Sequence, residues 1–174
     1  MLLKNGLDLS VAKAEKRDAA RILDYLNLVG GESDNLLFGR NGFPLDVVAE
    51  EQFIETVNAF ATSALFVGRI GEEIVSVASI QSPRRERIAH QADVALSVKM
   101  ARWGVGIGTA MMRTLIEFAR STGTIEIVHL GVRSDNVRAI ELYKRLGFEQ
   151  IGLYRKFFKI DGAYADEILM NLYL

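Results

Sequence analysis

Residues 92–109 read ADVALSVKMARWGVGIGT, and this stretch decides the fold. Its first half alternates: Val94, Leu96 and Val98 fall on one side, Asp93, Ala95 and Ser97 on the other. Period two marks a strand with one apolar face, predicted over Ala92 to Lys99. The second half, Arg102-Trp103-Gly104-Val105-Gly106-Ile107-Gly108-Thr109, is a glycine-rich turn, and a helix is predicted from it to about Ser121. A strand, a glycine turn and a helix in that order gather unsatisfied N–H groups and the positive end of a helix dipole at one spot, which suits an anion. Two phosphate-binding turns are excluded. A Walker loop needs Gly-Lys-Ser/Thr, but Thr109-Ala110 follows Gly108. A dinucleotide fingerprint needs glycine three places after Gly106, where Thr109 stands. Taken alone, the glycines also suit a tight connection that binds nothing.

Working outward, Glu126 to Val132 reads as a buried strand and Asn136 to Leu146 as a helix closed by Gly147. The strand-turn-helix-strand unit predicts a crossover between parallel strands. Phe148 to Lys159 and Tyr164 to Tyr173 are two more strands, joined by Asp161-Gly162. Upstream, Ala64 to Ile70 and Ile74 to Ile80 form a hairpin across Gly71-Glu72. Leu7 to Ala14 is a half-buried strand. Arg17 to Leu28 and Leu45 to Phe60 are helices around a loop from Glu32 to Pro44. The order predicts an α/β fold: a mixed sheet of about seven strands with about four helices on both faces. Residues 1–174 are expected to form a single domain.

A second segment carries chemistry. In Asn136-Val137-Arg138-Ala139-Ile140-Glu141-Leu142-Tyr143-Lys144-Arg145-Leu146-Gly147-Phe148, Asn136 heads the helix as an N-cap and Tyr143 follows two turns later on the same face. A helical tyrosine is usually a core residue with a wet hydroxyl. The two segments together resemble the GNAT superfamily of N-acetyltransferases. That family joins a Gln/Arg-x-x-Gly-x-Gly/Ala turn to a helix of the type Asn-x-x-Ala-x-x-x-Tyr-x-x-x-Gly-Phe. This chain has the Trp-Gly-x-Gly-Ile-Gly variant, with Trp103 in the Gln/Arg place and Arg102 one residue early.

The resemblance implies a sheet splayed at its centre, with acetyl-coenzyme A in the gap as co-substrate. It implies that the amides of Gly104, Val105, Gly106, Ile107, Gly108 and Thr109 cradle the pyrophosphate. Leu96, Ser97 and Val98 pair with the pantetheine arm, and Asn136 touches the cofactor. Tyr143 protonates the departing thiolate, and a neutral amine attacks the thioester directly in a ternary complex. The base is open: Asp93 on the cradle strand and Glu32 in the family's substrate loop are the candidates, each equally an ordinary solvated carboxylate. His129 also suits a satisfied core histidine, and His90 a hairpin loop. The run Arg84-Arg85-Glu86-Arg87 suits a solvated loop or a selector of acidic acceptors.

Composition bounds the rest. The chain has no cysteine, so a disulfide framework, a thiolate metal site and a cysteine nucleophile are excluded. Two isolated histidines predict no metal site. A net charge of -1 argues against a nucleic-acid or membrane-surface partner. No run reaches the ~18 apolar residues of a membrane span, and the N-terminus lacks a signal-peptide run, so a cytoplasmic enzyme is expected. The expected partner is a small-molecule or peptide amine: a peptide N-terminus, a polyamine, an amino acid analogue or an antibiotic. The resemblance also allows a homodimer. The alternative is a non-catalytic module that binds acyl-coenzyme A and regulates a partner.

Overall fold

A computed structural model describes residues 1–174. Seven strands form one sheet: β1 Ser10–Lys13, β2 Ala64–Ile70, β3 Glu73–Gln81, β4 Gln91–Val98, β5 Ile127–Arg133, β6 Glu149–Ile160 and β7 Ala163–Tyr173. Their spatial order is β1-β2-β3-β4-β5-β7-β6. All neighbours are antiparallel except β4 and β5, which the predicted crossover leaves parallel. The helices are α1 Ala19–Val29, α2 Val47–Asn58, α3 Ile107–Ser121 and α4 Val137–Arg145.

The sheet separates two apolar layers. On one face, Ile107, Met111, Met112 and Leu115 of α3 and Ile140 and Tyr143 of α4 pack on Val128, Leu130, Val132 and Met170. On the other, Ile22, Tyr25 and Leu26 of α1 and Ile54 and Val57 of α2 pack on Leu65, Val67 and Val77. Val94, Leu96 and Val98 join the α3 layer, so the period-two reading of β4 assigns its faces correctly. Most boundaries agree within two residues, and the start of β1 differs by more. The first strand is shorter than Leu7 to Ala14, because Leu7 and Leu9 turn back on the N-terminus: Leu3 N–H donates to Leu7 O, and Leu9 N–H to Met1 O.

Glu50 of α2 is 1 % exposed, and its Oε2 has no hydrogen-bond partner. Burial pushes its carboxyl up from 4.5 to about 6. The folded chain therefore holds this proton more tightly than the unfolded one. This carboxyl's contribution to stability is greatest below pH 4.5, falls as pH rises to about 6, and stays lower above, by about 2 kcal/mol. Glu50→Gln is expected to stabilise the chain by up to that amount near neutral pH and by nothing near pH 4.5. Urea melts at both pH values check it, and a gain of equal size at both contradicts the assignment.

Candidate active site

β4 and β5 part after three rungs. Gln91, Ala92 and Asp93 pair with Ile127, Val128 and His129, yet β4 continues to Val98 and β5 to Arg133. Past the fork, the facing N–H and C=O groups of both strands have lost their sheet partners and line a gap, which suits an extended chain that adds to a strand edge. A cavity of about 1220 Å³ opens there, lined by Val94 to Val98 from one strand and Leu130 to Arg133 from the other.

The glycine turn stands at one end of the cavity. Gly106 is the N-cap of α3 at φ 109, a conformation only glycine adopts readily. The turn carries the chain into α3 with the N–H groups of Gly104, Val105, Gly106, Ile107, Gly108 and Thr109 all lacking a protein acceptor. Consecutive free donors at a helix N-terminus fit a phosphate group. Gly104, Gly106, Ile107, Gly108 and Thr109 line the cavity; Val105 does not, because its side chain packs on the core. Trp103 is fixed from both sides: its Nε1–H donates to Val98 O at 2.7 Å, and the Arg138 guanidinium lies 4.6 Å over its ring. Arg102 is held by Glu73, which also pairs with Lys99. Those cations, Lys99 first, keep the Glu73 carboxyl below its ordinary range.

Asn136 caps α4, its Oδ1 accepting from Ala139 N–H at 3.3 Å, and it also lines the cavity. Tyr143 follows on the same face. Its ring packs 5.7 Å from that of Phe148, and the residue is 9 % exposed at the cavity wall. Burial pushes the phenol up to about 12, with no hydrogen bond to offset it. The two segments singled out in the sequence thus meet at one cavity.

The carboxylate candidates fare differently. Asp93 sits on the last paired rung, exposed and outside the cavity lining. Glu32 does line the cavity, but its Oε2 accepts from Met100 N–H at 2.6 Å and so braces the turn before the cradle. His129 is half-buried, with Nδ1 2.8 Å from Asn171 Oδ1. His90 precedes β4, its carbonyl accepting from Glu126 and Ile127 N–H. No group of three His, Cys, Asp or Glu side chains clusters as a metal site would. The Arg84–Arg87 run lies outside the cavity; Arg84 stacks on Phe60 at 3.9 Å.

Several further contacts at the cavity come from side chains whose partners lie far away in sequence. The loop between α1 and α2 supplies Leu36, Phe38 and Phe43, the last two edge-to-face at 5.1 Å. Arg133 ties that loop to β5, donating to Asp34 O at 2.9 Å and to Asp135 Oδ2 at 3.0 Å. Ser97 accepts from Tyr25 O–H at 3.1 Å, which fixes α1 against β4. Glu167 of β7 also reaches the cavity.

Comparisons with known proteins agree with this geometry. Residues 38–148 match the acetyltransferase (GNAT) family. The chain is 36% identical over 101 residues to the N-alpha-acetyltransferase RimI of Mycobacterium tuberculosis, covering 58% of this chain and 61% of that one. It is 33% identical over 105 residues to the L-amino acid N-acetyltransferase AaaT of Escherichia coli, covering 60% and 64%. The matches thus span about three fifths of these relatives. A GNAT-family acetyltransferase from Streptococcus pneumoniae superposes with a TM-score of 0.93 at 25% identity, over 96% of this chain and 100% of that one. The yncA protein of Salmonella typhimurium, a putative acetyltransferase solved with acetyl-CoA, superposes at 0.83 and 22% identity, over 95% and 94%; it speaks to the fold.

Proposed function

This chain belongs to the acetyltransferase (GNAT) family, and we propose that it transfers an acetyl group from acetyl-coenzyme A to a primary amine, working as a single domain over residues 1–174. The observation that carries the proposal is the run of free N–H donors from Gly104 to Thr109 at the mouth of a cleft that also holds Tyr143. A regulatory binder has use for the donors, but none for an unpartnered phenol beside the reacting group.

The chain's own residues supply three things. The cradle amides hold the pyrophosphate of the acyl donor. The free edge of β4 at Leu96, Ser97 and Val98 aligns its pantetheine arm by β-augmentation, and Asn136 holds the near end of α4 against it. Tyr143, neutral at every ordinary pH, donates its O–H to the sulfur as the C–S bond breaks. Holding donor and acceptor together supplies much of the remaining rate. The acceptor enters over the Leu36–Phe43 loop, which closes the side of the cleft opposite α4. The two curated relatives are named for N-alpha and L-amino acid acetylation. Both acceptors present an α-amino group, and that is the acceptor class assigned here.

Acetyl-coenzyme A is expected to raise the melting temperature by mass action on the folded state. Free coenzyme A is then expected to appear on adding short peptides with free N-termini or free L-amino acids. No thermal shift at millimolar donor contradicts the binding half of the proposal. A shift without coenzyme A release from any amine contradicts the catalytic half.

A further inference from the structure

We propose that Glu167 is the general base, taking the proton from the acceptor's ammonium on the face of the sheet opposite Tyr143; this rests on the acetyltransferase function proposed above. Even residues of β5, Val128, Leu130 and Val132, are buried against α3 and α4, so His129, Gly131 and Arg133 face the α1 and α2 side. β7 pairs with β5 so that Glu167 stands opposite Arg133 and Leu169 opposite Gly131. The Glu167 side chain leans along the strand across Gly131: a Cβ placed there would coincide with its carboxylate. The absence of a side chain at residue 131 is thus what admits the carboxyl group to the cleft wall, past the fork where β4 and β5 part. Tyr143 approaches the same cleft from α4. Acid and base therefore reach the gap from its two faces, one where the amine adds to the thioester carbonyl and the other where the sulfur takes its proton.

The surroundings leave Glu167 free for this work. Arg133, its register partner, turns instead to Asp34 and Asp135. On β6 its partner is Tyr154. His129 is the other titratable group on this face of β5, and Glu32 of the acceptor loop lines the same cleft. Glu167 accepts no hydrogen bond, and partial burial holds its carboxyl above the ordinary carboxylate range, with the field of His129 pulling the other way. A carboxylate raised in this way is a stronger base than a solvated one. Asp93, exposed and outside the cleft, and Glu32, bonded to Met100 N–H, lack this combination.

The step balances. Glu167 takes one proton from the ammonium and passes it to solvent. The neutral nitrogen forms the C–N bond, the C–S bond breaks, and the second proton lost by nitrogen balances the one that sulfur gains by way of Tyr143. The products are an amide, a thiol and one released proton.

Glu167→Gln, Gly131→Ala and Asp93→Asn are compared with the parent at saturating acetyl-coenzyme A from about pH 5 to pH 10, with short peptides and free amino acids as acceptors. Glu167→Gln is expected to lower kcat roughly 10²-fold or more at pH 7 while leaving coenzyme A binding intact. Its residual rate is expected to climb about tenfold per pH unit towards the amine pKa, because solvent alone then supplies neutral amine, a steeper rise than the parent's. Gly131→Ala displaces the carboxylate without deleting it and lowers kcat about tenfold. Asp93→Asn keeps the parent's profile. A parent that transfers acetyl while Glu167→Gln keeps its rate and pH profile overturns the base alone. A parent that transfers acetyl to no amine overturns the acetyltransferase function and the base with it.

Discussion

Tyr143→Phe is expected to lower the rate of acetyl transfer by roughly 10²–10⁴ at saturating acetyl-coenzyme A, the usual worth of general acid–base catalysis. The substitution deletes one oxygen. The ring stays against Phe148, no cavity forms, and stability changes little. The hydroxyl makes no protein hydrogen bond whose loss could disturb α4. Its pKa, pushed up to about 12 by burial, keeps the proton in place throughout the assay range, so the phenol stays a potential donor at every pH tested. Cofactor affinity, measured by calorimetry with coenzyme A, is expected to be nearly unchanged, because the free amides lie in the glycine turn and the first turn of α3, away from α4. Saturating donor keeps a binding defect from posing as a chemical one. A variant that binds normally and turns over at the parent rate refutes the acid role; a loss of tenfold or less means that water replaces the phenol.

Gly106→Val is expected to weaken coenzyme A binding by roughly 10- to 10³-fold, the worth of one or two hydrogen bonds to a charged group. Two effects act together. At φ 109 a β-branched residue is strained, by about 1–3 kcal/mol, so the turn relaxes and its donors lose their common aim. A Cβ placed on the glycine meets no protein atom within 4 Å, so the new methyl groups also project into open space beside the turn. The apo melting temperature is expected to fall, and the shift induced by acetyl-coenzyme A to disappear. Gly71→Ala separates the two effects. It carries left-handed strain at φ 57 in the β2–β3 turn, outside the cleft, and is expected to lower the melting temperature while leaving affinity unchanged. A Gly106→Val chain with parent affinity means that these amides do not hold the pyrophosphate.

The fold was legible because its signals are local. Alternation in β4 depends only on successive side chains pointing to opposite faces, and Val94, Leu96 and Val98 indeed share the α3 layer. Asn136 to Gly147 contains a cap, a two-turn repeat and a C-terminal glycine within one helix. The start of β1 was misread for the same reason. Alternation from Leu7 cannot reveal that Leu7 bonds back to Leu3 and Leu9 to Met1.

For the site, the division falls between backbone and side chains. The sequence by itself determined the strand, the glycine cradle, the capped helix and Tyr143's turn of that helix, since each is fixed by residues within about two helical turns of one another. Only the tertiary structure decided which cleft carboxylate is left without a hydrogen-bond or ion-pair partner. Asp93 lies on the right strand but one rung before β4 leaves β5, and Glu32 lies in the right loop but braces Met100. Glu167 comes from a strand 36 positions beyond Gly131, and its place depends on the β5–β7 register and on a missing side chain opposite. Register between strands distant in sequence is set by packing across the whole sheet, so no local pattern carries it.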